Sequence, residues 1–149
     1  MDKACGCKKA VLAVFAVYAF KLLSGLVLCG WLFKWVYQLP PVDVWRVMDA
    51  PARRYYFGTL LVSFFFVLVY KLYGKALAYT SRIRKGLVYG VSVWAVGIVP
   101  GMIATLVFMT VNMTVIVYWT VMGLILTVIE GVIVASLVGD ETETCCLKK

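Results

Sequence analysis

The sequence predicts an all-α polytopic membrane protein: four transmembrane helices in a compact bundle, with a short amphipathic interfacial helix between spans 1 and 2. Three observations carry this. Of 149 residues, 64% are hydrophobic, and the mean hydropathy is +0.95. A domain of this size cannot hide so much apolar surface from water. The apolar residues fall into four runs, about 10–33, 55–75, 86–109 and 115–138, each long enough to cross a hydrocarbon core of ~30 Å. The runs are continuous rather than alternating, which suits helices and not barrel strands. The whole chain, 1–149, reads as one integral membrane domain with polar tails at 1–9 and 139–149.

The formal net charge of +8 bears on orientation first. Lys3, Lys8 and Lys9 precede span 1. Lys71, Lys75, Arg82, Arg84 and Lys85 lie around the connection of spans 2 and 3, and Lys148 and Lys149 end the chain. Four spans put all of these on one side, opposite Lys34, Arg46, Arg53 and Arg54. The positive-inside rule then expects both termini in the cytoplasm, in a cell inner (plasma) membrane. No long soluble basic surface exists, so nucleic acid is not an expected partner. The expected surroundings are the lipid bilayer and other membrane subunits or further copies of the chain.

Span 1 follows a short segment that carries Cys5 and Cys7. Lys8 and Lys9 before an apolar run also suit a signal peptide, but the run is too long and lacks a small-x-small cleavage site. The span ends in Trp31, Trp35 and Tyr37, rings that favour the membrane–water boundary. Pro40 and Pro41 stop it. Between Pro41 and Pro51, Asp43, Arg46 and Asp49 recur every third residue among Val44, Trp45, Val47 and Met48. That spacing suits a short interfacial helix, with an irregular loop as the alternative. Span 2 starts at Tyr55 and Tyr56, and Lys71 and Lys75 are placed to snorkel to the surface.

Span 3 is read as the spine of the bundle. Gly86, Gly90, Gly97, Gly101 and Ala104 fall within roughly 60° of one another at about 100° per residue, so one face carries almost no side chain. Pro100 beside this stripe removes a backbone donor and favours a kink. The short uncharged connection 110–114 makes span 4 the nearest occupant of the glycine face. Asn112-Met113-Thr114 matches a glycosylation sequon but lies too close to the membrane to serve as one. Span 4 ends near Gly139, a suitable cap.

Two charges interrupt the apolar runs. Lys21 lies twelve residues beyond Lys9, or ~18 Å at 1.5 Å per residue, and Glu130 lies ten before Asp140, or ~15 Å. Both depths run from the same side, so they nearly match. An isolated charge at mid-bilayer costs on the order of 2.5–3.5 kcal/mol or more, which pairing relieves. A Lys21–Glu130 pair between spans 1 and 4 is expected. It serves helix registry or a proton, ion or substrate path; in the alternative, Lys21 snorkels and Glu130 is protonated.

Cys5, Cys7, Cys145 and Cys146 share a side in this topology and suit zinc or a soft metal by ligand count. Their spacing is not that of a zinc finger, and free reduced thiols are the ordinary state in a cytoplasm, so no cofactor is expected. Cys29 reads as a small packing residue. The chain has no histidine, which removes the commonest general base and metal ligand. It also lacks nucleotide fingerprints, so it is not expected to be an enzyme. Ser63, Ser92, Thr105 and Thr127 are expected to bond to helix backbone.

Lys85-Gly86, Gly90, Trp94, Gly97, Pro100-Gly101 and Phe108, then Trp119 and Gly123, form a pattern that resembles small four-helix bacterial inner-membrane proteins of unknown function. Trp31 and Val44-Trp45-Arg46-Val47-Met48 resemble their first half. The resemblance implies a four-span bundle and supplies no activity. The expected function is that of a non-catalytic accessory or scaffold subunit that packs with itself or a larger membrane complex. The alternative is a small transporter or channel component built on Lys21 and Glu130.

Overall fold

The computed structural model describes residues 3–41, 53–74, 76–77 and 81–139. Every regular element among them is helical. Helix α1 runs Lys3–Val27 and continues through a π-turn, Leu28–Leu32, and a 3-10 turn, Lys34–Gln38. Helix α2 spans Arg53–Tyr73. The third span is built from α3, Arg82–Val93, a π-turn at Trp94–Ile98, and α4, Val99–Phe108. Helix α5 spans Met113–Val138. Among the described residues, four stretches are long and apolar enough to cross a membrane: Lys8–Leu32, Tyr55–Tyr73, Arg82–Phe108 and Met113–Val138. The chain is by this measure a multi-pass membrane protein. The interfacial helix expected between Val42 and Ala50 lies outside the described residues.

The helix ends follow local chemistry. The Asn112 side chain accepts from the Thr114 N–H at 2.9 Å and caps α5. Its amide donates to the Pro40 carbonyl at 3.3 Å, tying the two connections together. The sequon asparagine is thus a helix cap, which answers an otherwise orphaned first-turn donor. At the other end Gly139 takes φ +62°, a left-handed conformation open to glycine, and its N–H reaches the Ala135 carbonyl.

Helix α1 packs on both α2 and α5, and α3 lies along α5. The core collects toward the end where Lys8, Lys71 and Arg82 lie. It comprises Ala13 and Val17 of α1, Phe66, Val67 and Tyr70 of α2, Tyr89 of α3, and Val134, Ala135 and Val138 of α5. Elsewhere large apolar side chains face outward, with Val96 80% and Phe108 83% exposed. In water such a surface would drive association; lipid tails solvate it at no cost.

The glycine stripe does not behave as one face. A Cβ on Gly86 would fall 2.6 Å from Val132 Cα, and one on Gly90 2.6 Å from Val128 Cα. Gly131 of α5 meets the Gly86 backbone from the opposite side. Here two backbones touch, and side chains would push them apart. Gly97 and Gly101 instead have nothing within 4 Å of a Cβ, and Ala104 is exposed. The expectation of a single five-residue packing face is therefore corrected.

The π-turn supplies the reason. The Val99 N–H donates to the Trp94 carbonyl, five residues back, so the turn holds one more residue than an α-turn. Everything beyond it slips by one residue, or about 100°. Ile98, Met102 and Thr105 are half-buried where Gly97, Gly101 and Ala104 would have been. Ile98 fills the hollow over Gly123, 2.9 Å from a Cβ built there. Pro100 accounts for the position of the turn: it has no N–H for the Val96 carbonyl, and its ring crowds that carbonyl. Widening the preceding turn relieves both, so the disturbance expected at Pro100 takes the form of a register slip.

Candidate functional site

Lys21 and Glu130 meet between α1 and α5. The ammonium donates to both carboxylate oxygens, at 2.7 Å to Oε1 and 2.8 Å to Oε2. The Glu130 side chain is 1% exposed and that of Lys21 22%. Equal depth brought them to one level, and helical phase did the rest. Lys21 follows buried Val17 by four residues and Glu130 precedes buried Val134 by four, so both lie on faces turned into the bundle.

The pair rests on an aromatic floor. The Phe66 ring centroid lies 5.8 Å from the ammonium, within reach of a cation–π contact. Tyr89 stands edge-on to Phe66 and Tyr70, each with centroids 5.0 Å away. Its hydroxyl donates to the Phe66 carbonyl. Sequence reading missed Tyr89. The available signal was its place three residues after Gly86 and one before Gly90, on the face that α3 buries.

Among the described residues, Lys21 is reached from outside through a recess. Lys21, Tyr55, Gly58, Thr59 and Val62 line a notch of about 360 Å³ between α1 and α2. A Cβ on Gly58 would meet nothing within 4 Å, which keeps the notch wide. The serine and threonine hydroxyls nearby are spent on backbone. Thr59 donates to the Tyr55 carbonyl, Ser63 to Thr59, and Thr127 to Gly123 and Leu124. Ser92 and Thr105 likewise bond to Val88 and Gly101 in their own helices. Among the described residues these hydroxyls are thus committed to backbone, and the pair is held by its own two hydrogen bonds and the Phe66 ring.

At the opposite end a second polar cluster ties α1 to α5. The Trp119 indole N–H donates to the Tyr37 hydroxyl at 3.1 Å, and Tyr37 donates to Cys29 Sγ at 3.1 Å. Burial, and next the bond to Cys29, push the Tyr37 phenol above its usual range. It stays neutral and keeps its proton for Cys29. Cys29 is exposed, which corrects its reading as a packing residue: twelve residues beyond buried Val17, it stands about 120° round the helix from it at about 100° per residue. Trp94, at the second π-turn, donates to the Thr120 carbonyl at 2.8 Å and pins that turn to α5.

The cysteines named for metal are not brought into view. Cys5 and Cys7 lie on the α1 backbone, but their side chains, and all of Cys145 and Cys146, fall outside what is described. No protein-family model, no curated protein and no solved structure matches the chain.

Proposed function

We propose that the chain is a non-catalytic accessory or scaffold subunit of the inner membrane, packing with itself or a larger complex. The observation that supports this most is the outward face of α4. Gly97 and Gly101 stand four residues apart with open space over both, and Ala104 extends the face. Small residues at this spacing let a second membrane helix approach backbone to backbone. Inside the protein the same residue type is already occupied at Gly86 and Gly90. The distribution of basic residues supports a cytoplasmic place for both termini, and the resemblance to small four-helix inner-membrane proteins supports the compartment.

Extraction in a mild detergent and mass spectrometry test the reading. A stoichiometric partner or self-oligomer is expected for the natural chain. Gly97→Leu should release it while the monomer stays folded. A natural chain that runs as a monomer without partner would overturn the proposal.

The notch at Lys21 favours a second reading, a small transporter component in which the pair exchanges a proton or ion with the notch. Reconstituted vesicles carrying an interior pH dye would then show flux that Glu130→Gln abolishes. Flux equal to empty vesicles rules this reading out.

A further inference from the structure

The outer surface between α1 and α2 is a trough that no other described helix covers. It encloses about 510 Å³, with walls that include Val11, Phe15, Leu60, Leu61 and Phe64, and Lys71 among its lining. Along α2 it runs from Phe57 to Lys71, fourteen residues or ~21 Å at 1.5 Å per residue. That exceeds half of a ~30 Å hydrocarbon core, the depth an acyl chain occupies.

The charge at one end selects the occupant. Lys71 is half-buried and lines the trough, which suits a long side chain whose stem covers apolar surface and whose ammonium seeks the membrane boundary. Lys8 is exposed and precedes Val11 by three residues and Phe15 by seven, which puts it on the same face of α1. Helices α1 and α2 run antiparallel here, since Ala10 and Lys71 line one trough. Lys71 therefore stands at one end of an apolar trough that extends along α2 for the length of a lipid tail and is walled on α1 by residues 10–15, and Lys8 lies just beyond that wall on the same α1 face. An apolar protein helix would fill the walls but would leave these cations unanswered. A zwitterionic lipid brings no net charge to them.

We propose that the α1–α2 trough binds one anionic phospholipid, its acyl chain along Phe15, Leu61 and Phe64 and its phosphate between Lys8 and Lys71. Basic recesses between membrane helices recognise anionic headgroups by this combination of charge and apolar wall.

Native mass spectrometry of the full chain, titrated with phosphatidylglycerol and phosphatidylcholine of matched acyl chains, tests the site. Phosphatidylglycerol should bind at least about tenfold more tightly. Lys8→Gln and Lys71→Gln should each reduce that preference about fivefold, the effect of one surface lysine on an anionic lipid. Leu61→Trp, at a position 45% exposed, should lower occupancy by both lipids with the helical circular dichroism unchanged. Equal binding of the two lipids, or a preference that survives the double lysine variant, overturns the proposal. So does a co-purified polypeptide whose removal is required before any lipid binds.

Discussion

The two halves of the third span carry the same glycine spacing and do opposite things with it. In α3, Gly86 and Gly90 lie against the α5 backbone at Val132 and Val128. In α4, Gly97 and Gly101 face open space. The residues differ little; the register differs by one. The π-turn at Trp94–Ile98 separates a half where backbone meets backbone from a half where a side chain, Ile98, meets Gly123. A glycine stripe on a membrane helix is therefore a set of candidate contacts, and its phase must be continuous before it counts as one surface.

Substitutions can break or sharpen that contrast. The largest effect is expected at the charge pair in the packed half. Glu130→Ala leaves the Lys21 ammonium without its partner and should cost about 3–5 kcal/mol. The Lys21→Ala, Glu130→Ala double variant should lose less than the two single losses added, as measured by unfolding in detergent. Strict additivity would mean that the two groups do not interact.

Gly90→Ala comes next. Its Cβ would meet backbone atoms of α5, which do not move aside without separating the helices. A loss of about 1–3 kcal/mol is expected from overpacking, with a lowered melting temperature. Gly123→Ala should be milder, at about 1 kcal/mol or less, because the atoms it meets most closely, Cδ1 and Cγ2 of Ile98, belong to a side chain rather than to backbone. Adding Ile98→Val should recover most of that loss. A larger loss at Gly123 than at Gly90 would invert the comparison.

Gly97→Ala should reverse the sign. Nothing lies within 4 Å of its Cβ, and replacing glycine in a helix relieves about 0.5–1 kcal/mol of backbone entropy cost. The monomer should become slightly more stable in detergent. A loss comparable to that at Gly90 would show that both halves of the stripe touch a helix.

Much of this was legible before any coordinates. Spans expected at 10–33, 55–75, 86–109 and 115–138 correspond to helices whose ends differ by a few residues. Run length and apolarity are local quantities, and so is depth along a helix, which set Lys21 and Glu130 at one level. Tyr89 was harder to see, because a tyrosine on an apolar helix gives no sign of which neighbour it will touch. Cys29 was misread because residue type was weighed without helix phase, which sets it about 120° from buried Val17.

The sequence by itself determined the number of spans, the helix cap at Gly139 and the shared depth of the two charges. Each follows from local composition and a constant rise per residue. Only the tertiary structure decided which glycines touch another helix. That choice depends on rotational phase, and one extra residue in a single turn, held by Trp94 on the Thr120 carbonyl, moves every later residue by about 100°. Pro100 announced a disturbance; the packing of Ile98 against α5 shows that it was resolved as a slip in register.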